Sequence, residues 1–261
     1  MNPFLHRLRE GRTKPALGTF VMSGSPLVAE ALGCQGFEWC VLDMEHGTLD
    51  LGGVLAMLQA LSSTPMLPMV RIPALDAVTV KRVLDVGATT LLVPYVEDAK
   101  QAREVVAALR YPPHGIRGVA GNTRATRFGA LPDALRTADS RCAAFVQIES
   151  LRGVDNLDEI LAVEGIAGVF VGPADLSASM GLLGQLQHPQ VLALVASIAQ
   201  RSRAAGRMVG TLVGSHADLA RYPAASFDFV AIGSDLGLLQ RAARAELQEA
   251  GAAPAASGGG Y

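Results

Sequence analysis

Short apolar runs recur along the chain, and each is bounded by glycine, proline or acidic residues. Most of them are continuous in Val, Ile, Leu and Phe rather than alternating with polar residues, which is typical of strands buried on both faces of a parallel sheet. The runs predict strands at residues 16–21, 39–43, 68–72, 90–94, 143–148, 168–171, 208–212 and 229–232.

Helical periodicity fills the intervals between these runs. The clearest case is DAVTVKRVLDV at 76–86, where Asp76 can cap the first turn and Gly87 ends the pattern. Similar patterns predict helices at 98–110, 155–163, 189–205 and 235–247. Buried strands that alternate with helices over about 250 residues indicate an α/β fold, a (β/α)8 TIM barrel, with a doubly wound open sheet as the alternative.

The pattern predicts a single barrel domain over residues 1–250, followed by a flexible low-complexity tail at 251–261. One connection, 111–141, is unusually long and is rich in Pro, Gly and Arg. Compact domains rarely carry such a connection without a functional use. It is therefore either a solvated insertion or a segment that contributes to substrate specificity.

Composition narrows the class of protein. Of 261 residues, 50% are hydrophobic and 18% charged, with a net charge of −2, which excludes a disordered chain and offers no basic surface for nucleic acid. Cys34, Cys40 and Cys142 are odd in number and lie in or beside apolar segments, so we expect buried free thiols. Without a signal-like start or a membrane-length apolar run, the chain is expected to be cytoplasmic and to bind no membrane.

Polar residues stand where the predicted strands end. In a TIM barrel the reactive groups lie at the C-terminal ends of the strands. The residues at these positions are Asp43 followed by Glu45 and His46, then Arg71, Gln147, Glu149, and Asp175 in the segment GPAD. Any one of them could be the first solvated residue of a loop, but their convergence on one rim favours a site.

Two carboxylates suggest a metal site. Glu149 and Asp175 follow neighbouring strands, so they would lie a strand spacing apart with room for water and a chelating substrate. Such hard oxygen ligands suit Mg²⁺, Mn²⁺ or Co²⁺. The alternative is that one of them forms an ion pair with Arg71. After GPAD, DLSASMG predicts a short helix whose first N–H groups could bind a substrate carboxylate.

Three further side chains could complete the chemistry. His46 is a candidate general base whose tautomer a neighbouring carboxylate, Asp43 or Glu45, would set. Arg71 could stabilise an enolate or oxyanion. In the long connection, Arg124 and Arg127 are candidates for contact with a second anionic group of the substrate.

The absence of other motifs restricts the reaction. The sequence has no Gly-rich phosphate loop, nucleophile elbow, dinucleotide fingerprint or HExxH. None of its three lysines, Lys14, Lys81 and Lys100, stands at a strand end where it could form a Schiff base. The remaining parts indicate reversible carbon–carbon cleavage of a 2-oxo acid through a metal-bound pyruvate enolate, without an organic cofactor.

Long motifs carry a resemblance to a known family. DMEHGTLDL, KRVLDVGATTLLVPYVE, RYPPHGIRGV, VQIES and VEGIAGVFVGPADLSASMG resemble the HpcH/HpaI aldolases from about residue 17 to 247. The resemblance implies a class II aldolase that cleaves a 4-hydroxy-2-oxo acid, of the 4-hydroxy-2-oxoheptanedioate type, to pyruvate and an aldehyde. Alternatives are a 2-dehydro-3-deoxyglucarate aldolase giving pyruvate and tartronate semialdehyde, a citryl- or malyl-thioester lyase, and a non-catalytic 2-oxo-acid sensor.

The resemblance also implies roles for single residues. Glu149 and Asp175 match metal ligands, and His46, Arg71 and Asp43 match catalytic residues. Asp85 matches an acid that reaches the histidine from a neighbouring subunit. The positions that match substrate contacts are Gln147, Gly172, Pro173, Ala174, Leu212 and Arg124. The implied assembly is a homo-hexamer, a trimer of dimers, whose last helix is exchanged between subunits.

Two segments depart from the family pattern. Where relatives usually read DGEHA, this chain reads DMEHG, which keeps the acid and the histidine and places Met44 beside them. The loop VAGNTRATRFG in the long connection differs from its counterparts in the family. Because that loop is expected to lie beside the aldehyde half of the substrate, the identity of the aldehyde stays open.

Overall fold

Eight parallel strands close into a barrel in chain order, which confirms the predicted TIM barrel and excludes the doubly wound sheet. The computed structural model describes residues 1–9, 11–223 and 226–252, so most of the predicted tail, 253–261, lies outside the described residues. The strands are β1 (Ala16–Val21), β2 (Trp39–Asp43), β3 (Leu67–Arg71), β4 (Thr90–Val93), β5 (Ala143–Ile148), β6 (Gly168–Val171), β7 (Met208–Val213) and β8 (Phe229–Ser234).

Helices surround the barrel and cap its ends. They are α1 (Pro3–Leu8), α2 (Pro26–Gly33), α3 (Leu51–Leu61), α4 (Ala77–Asp85), α5 (Ala99–Leu109), α6 (Ala138–Arg141), α7 (Leu151–Asp155), α8 (Leu157–Leu161), α9 (Pro173–Ser179), α10 (Pro189–Ala204), α11 (His216–Leu219) and α12 (Asp235–Glu249). The predicted helix at 155–163 is shorter, since only α8 lies within it, and the chain leaves helical geometry at Asn156 between α8 and the end of α7.

Large aromatic rings fill the barrel interior. Trp39 and Phe229 point inward, and each lies against a glycine of a neighbouring strand. A Cβ atom on Gly18 would approach the Trp39 ring to 2.3 Å, and one on Gly210 would approach the Phe229 ring to 2.2 Å. Because no side chain fits there, these glycines allow the rings to close the core.

Helix α1 plugs the N-terminal end of the barrel. Phe4 packs edge-to-face against Trp39, Phe145 and Phe229, with ring centroids 5.8, 5.6 and 5.4 Å away. Asn2, which is 1% exposed, donates its amide protons to the carbonyl groups that precede β4 and β5. The plug is therefore both apolar in its centre and hydrogen-bonded at its edge.

The long connection 111–141 packs at this same N-terminal end. It leaves α5 and enters β5, and a connection from helix to strand lies at the start of the strand. Its Arg124 begins a 3₁₀ turn, Arg124–Thr126, and donates to the carbonyl groups of Val86 and Leu58 at the ends of α4 and α3. The expectation that this connection lies beside the substrate is therefore wrong within one chain.

Helix α12 begins on the barrel and then leaves it. The buried Asp235 accepts hydrogen bonds from the N–H groups of Met22 and Ser23, 2.9 and 3.0 Å away. Beyond this anchor, Leu236, Leu239 and Leu247 are exposed. The helix thus leaves apolar side chains uncovered in its own chain, whereas its exchange between subunits stays a prediction.

The three cysteines are free, as predicted, but they differ in burial. Cys40 is buried, Cys142 is half-buried and Cys34 is exposed, so the expectation of three buried thiols is wrong for Cys34. The reason is its place at the end of α2, on the outer surface of the barrel.

Among the described residues, no helix combines the length and apolar character needed to cross a bilayer.

Candidate active site

The polar side chains of the site continue the inward-facing columns of the barrel. Strands alternate their side chains between two faces, so Asp43 shares a face with Trp39, and Gln147 with Phe145. Asp43 and Arg71 are direct partners in the pairing of β2 with β3. The inward-facing residues of the strands are therefore aromatic at the N-terminal end of the barrel and include charged residues, such as Asp43 and Arg71, at the C-terminal end.

Arg71 is the cation at the centre of this end. Its Nε and Nη2 atoms donate to the two carboxylate oxygens of Asp43 at 2.8 and 2.7 Å, a two-pronged pair. Its Nη1 lies 2.9 Å from Glu45 Oε2, and the guanidinium carbon stands 5.1 Å from the centre of the Phe20 ring. Two of the five N–H donors of the guanidinium bind Asp43, and Glu45 Oε2 has no hydrogen-bond partner among the described residues, so three donors remain for another acceptor.

Asp43 serves Arg71 and the following turn rather than the imidazole of His46. Besides the guanidinium, its Oδ1 accepts from the backbone N–H of Glu45 at 3.0 Å and of His46 at 3.4 Å. Of the two carboxylates predicted to set the tautomer of His46, Asp43 instead pairs through both oxygens with Arg71, which faces it in register, so the alternative with Glu45 stays a prediction. The side chain of His46 is exposed at the mouth of the barrel.

The two predicted metal ligands meet at Tyr95. The Tyr95 backbone N–H donates to Glu149 Oε1 at 2.8 Å, and its phenol O–H donates to Asp175 Oδ1 at 2.9 Å. Gln147 Nε2 donates to the other oxygen of Glu149. Neither carboxylate is paired with Arg71, so the structure does not support that alternative for either of them.

Burial dominates the electrostatics of Glu149. The residue is 2% exposed, and this desolvation raises its pKa to about 7. The hydrogen bond from Tyr95 opposes the rise, whereas the charges of Glu45 and Asp175 add to it. Burial likewise raises the pKa of Glu45, although Arg71 opposes this. The site therefore holds carboxylates that destabilise one another's charge.

Gly172 allows the side chains of Glu149 and Gln147 to lie close to the backbone that follows β6. A Cβ atom at this position would lie 2.5 Å from Glu149 Oε2 and 2.8 Å from Gln147 Nε2. Helix α9 begins at Pro173, two residues earlier than the segment DLSASMG suggested. Asp175 therefore lies in the first turn of this helix. Leu212, on β7, packs against the interior cluster beneath this rim.

A divalent cation fits this set of donors. Four carboxylates, those of Asp43, Glu45, Glu149 and Asp175, act on one another in this network, and Arg71 forms ion pairs with only the first two. The buried Gln147 Oε1 has no hydrogen-bond partner among the described residues. Because the described residues contain no cluster of three or more His, Cys, Asp or Glu that could hold a metal, a cation would take two carboxylates and complete its shell with water or substrate.

Two predicted residues lie at the opposite end. Asp85, at the end of α4, forms an ion pair with Arg117 at 2.9 Å, and Arg124 caps helix ends beside it. Helices of a barrel run opposite to the strands, so the end of α4 lies at the N-terminal rim. The prediction that Arg124 lies near the active site is therefore wrong within one chain, and Asp85 is likewise far from the His46 of its own chain.

Sequence reasoning missed Tyr95. An aromatic residue with a hydroxyl, placed directly after the apolar run of β4, was an available signal by the same strand-end rule. Its left-handed backbone, with φ of 50°, had no such signal, because this conformation is uncommon for any residue other than glycine.

The fold and the site together define a TIM-barrel protein with an acidic centre at the C-terminal rim. Residues 16–242 match the HpcH/HpaI aldolase/citrate lyase family, and the chain belongs to this family. It is 44% identical over 247 residues to a hydroxypyruvate/pyruvate aldolase of Delftia acidovorans, covering 94% of this chain and 91% of that protein. It is 43% identical to a 5-keto-4-deoxy-D-glucarate aldolase of Salmonella arizonae, over 86% and 88% of the two chains.

A solved structure supports the fold. The chain matches the crystal structure of a HpcH/HpaI aldolase/citrate lyase family protein from Burkholderia cenocepacia with a TM-score of 0.92 and 40% identity. The match covers 97% of this chain and 100% of that protein. The family resemblance and the class of enzyme, a carbon–carbon lyase, are thereby confirmed. The aldehyde and the metal stay predictions.

Proposed function

We propose that this protein is a divalent-metal-dependent aldolase that cleaves a 4-hydroxy-2-oxo acid to pyruvate and an aldehyde. The observation that carries the proposal is the buried pair Glu149 and Asp175 beside the partly engaged guanidinium of Arg71. Relatives over 40% identical are named as aldolases of pyruvate-type and keto-deoxy sugar acid substrates, which supports this class of reaction.

In this proposal Glu149 and Asp175 hold Mg²⁺, Mn²⁺ or Co²⁺. When bound, such a cation would supply a Lewis acid that polarises the keto group of a 2-oxo acid. Gln147 orients Glu149 through its amide N–H, and its buried Oε1 is free to accept a hydrogen bond from water or a substrate hydroxyl. No organic cofactor is needed.

Substrate carboxylate binding is assigned to the start of α9. Gly172 precedes the helix without a side chain to cap it, and Pro173 has no N–H. The first-turn N–H groups of Ala174 and Asp175 therefore face a small substrate rather than a capping residue. Leu212 provides an apolar wall for the carbon chain of pyruvate.

Charge and proton movement are assigned to Arg71 and His46. As the C3–C4 bond breaks, negative charge develops at the 2-oxo oxygen, and the N–H donors of Arg71 that Asp43 leaves free stabilise it. Asp43 keeps the guanidinium in place through its two-pronged pair. His46, exposed at the rim, accepts the proton of the C4 hydroxyl.

Residues of a second subunit would complete the site. Asp85 and Arg124 lie too far from their own site to act there, so we assign them to the His46 and the aldehyde pocket of a neighbour in a homo-hexamer, a trimer of dimers. The uncovered apolar side chains of α12 support an exchanged last helix. Co-expressed His46→Ala and Asp85→Asn subunits should regain activity in mixed hexamers, whereas failure to regain it would contradict shared sites.

The aldehyde that is released depends on which of two candidate substrates the enzyme cleaves. The heptanedioate type would release a four-carbon semialdehyde acid, whereas the 2-dehydro-3-deoxyglucarate type would release tartronate semialdehyde. The names of the relatives favour the second for the first assay. Comparing kcat/KM for the two substrates would decide which one the aldehyde pocket fits.

Pyruvate release from a 4-hydroxy-2-oxo acid is the test of the proposed reaction. The rate should fall to background after complete metal removal by a chelator and return with added Mn²⁺. His46→Ala should lose the rate, whereas His6→Ala, at an exposed histidine of α1 at the opposite end of the barrel, should keep it. Activity that survives metal removal would contradict the mechanism.

The same assay separates the competing functions. Pyruvate binding without turnover of any 4-hydroxy-2-oxo acid would favour a sensor. Turnover of a citryl or malyl thioester in place of these acids would favour a thioester lyase.

A further inference from the structure

Tyr95 has an unusual backbone for its place in the barrel. It follows Pro94 at the C-terminal end of β4 and adopts φ of 50°, in the left-handed region. The other described non-glycine residues with positive φ, Arg127, Phe128 and Asp133, all belong to the connection 111–141. Such a conformation is strained for a residue that carries a side chain, so the surrounding contacts must hold it in place.

This backbone lets one residue reach two elements at once. The N–H of Tyr95 points to Glu149, directly after β5, while the phenol extends to Asp175 on α9, at 2.8 and 2.9 Å. The next residue, Val96, donates its N–H to the Gln147 carbonyl at 3.3 Å and ties the same turn to β5. The turn after β4 is therefore fastened to both carboxylate-bearing segments.

The two hydrogen bonds act on carboxylates that repel one another. Without a donor, Asp175 would be free to turn away from the buried Glu149, because its side chain is only half-buried. The phenol O–H binds Asp175 Oδ1, and Oδ2 has no hydrogen bond within the described part of the chain. One oxygen of Asp175 is thus held, and the other is left for a cation.

We propose that Tyr95 is a positioning residue that orients Asp175 and Glu149 toward one divalent cation. This inference rests on the proposed function. It assigns to the phenol O–H a hydrogen bond to Asp175 that the ring without its hydroxyl could not form. Groups that orient metal ligands typically contribute 10- to 100-fold to metal affinity. We therefore expect Tyr95→Phe to weaken metal binding about 10-fold.

The test measures Mn²⁺ binding to the metal-free full-length protein, by the electron paramagnetic resonance signal of free Mn²⁺. Tyr95→Phe should raise the dissociation constant about 10-fold at an unchanged melting temperature, because the phenol is 47% exposed and the ring is kept. Tyr222→Phe is the matched control, since this tyrosine packs against Phe227 away from the site and should bind Mn²⁺ as the wild type does.

Steady-state kinetics supply a second readout. In Tyr95→Phe the Mn²⁺ concentration for half-maximal activity should rise in step with the dissociation constant, while kcat at saturating Mn²⁺ stays within a few-fold of the wild type. Wild-type Mn²⁺ affinity in Tyr95→Phe would overturn the positioning role, and a kcat that saturating Mn²⁺ does not restore would overturn it as well.

A different set of results would contradict the proposed function itself. If the wild type bound no Mn²⁺, or if Glu149→Gln and Asp175→Asn bound it as the wild type does, the metal site itself would be wrong, and the role of Tyr95 with it. If these two variants lose binding while Tyr95→Phe keeps it, the metal site stands and only the inference about Tyr95 falls.

Discussion

The two ends of the barrel are built from the same columns of inward-facing residues and yet differ in chemistry. On β2 the column runs from Trp39 at the N-terminal end to Asp43 at the other, and on β5 it runs from Phe145 to Gln147. The N-terminal end is closed by the aromatic plug around Phe4, whereas the C-terminal end is open and ionised. One repeating pattern therefore supplies both a packed core and a reactive site.

The comparison separates stability from function. Aromatic burial at the N-terminal end contributes directly to the free energy of unfolding. The buried pair of Arg71 and Asp43 contributes little net stability, since desolvation of the charges offsets their attraction. We therefore expect substitutions at the N-terminal end to lower the melting temperature and substitutions at the C-terminal end to lower activity.

The largest effect should come from removing a metal ligand. Asp175→Ala should abolish metal binding and reduce kcat/KM by about 10³-fold or more, because a metal supplies several kcal/mol of charge stabilisation. The fold should persist, since Asp175 is not part of the core. Asp158→Ala, which removes an exposed carboxylate paired with Arg201, is the control and should keep full activity. Unchanged metal affinity in Asp175→Ala would remove this residue from the site.

At the opposite end, Phe4→Ala should act on stability alone. Loss of a ring that touches three other aromatic rings should lower the free energy of unfolding by about 3 kcal/mol. Denaturant titration measures this, and kcat well below the unfolding transition should equal that of the wild type. Leu27→Ala, at a 74% exposed position, should change neither quantity. A lower kcat in folded Phe4→Ala would show that the two ends are coupled.

A smaller and more selective effect separates two arginines that each form a two-pronged pair, Arg12 through Nη1 and Nη2 and Arg71 through Nε and Nη2. Arg12 pairs with both oxygens of Glu38 at 2.7 Å near the N-terminal end, as Arg71 does with Asp43 at the other. Lysine keeps the charge and loses the two-pronged pair. Arg71→Lys should lower kcat about 10²-fold, whereas Arg12→Lys should leave it unchanged. Equal kcat in the two variants would mean that Arg71 has no part in the chemistry.

The fold was largely predictable from the sequence because its strands are continuous apolar runs with sharp ends. The predicted bounds of β1, β2, β5 and β6 match the structure, and the last three of these runs stop at Asp43, Glu149 and Gly172. Strands β7 and β8 extend further than predicted, to Val213 and Ser234. Small and polar residues such as Gly233 carry no hydrophobic signal, although the barrel pairing continues nearby.

The site was predictable only as far as the strand ends reveal it. Glu149 and Asp175 do lie together, because parallel strands bring their C-terminal ends to one rim. The pairing of Asp43 with Arg71 depends on register, which no local pattern encodes. The place of the connection 111–141 was within reach, however, since any segment that runs from a helix to a strand lies at the N-terminal end.

The aromatic plug also has a consequence for biosynthesis. Phe4 is synthesised before every strand of the barrel, but one of the rings it contacts, Phe229, belongs to the last strand. Its binding surface is complete only when nearly the whole barrel has emerged from the ribosome. Helix α1 thus emerges before all eight strands and is among the last elements to reach its native contacts.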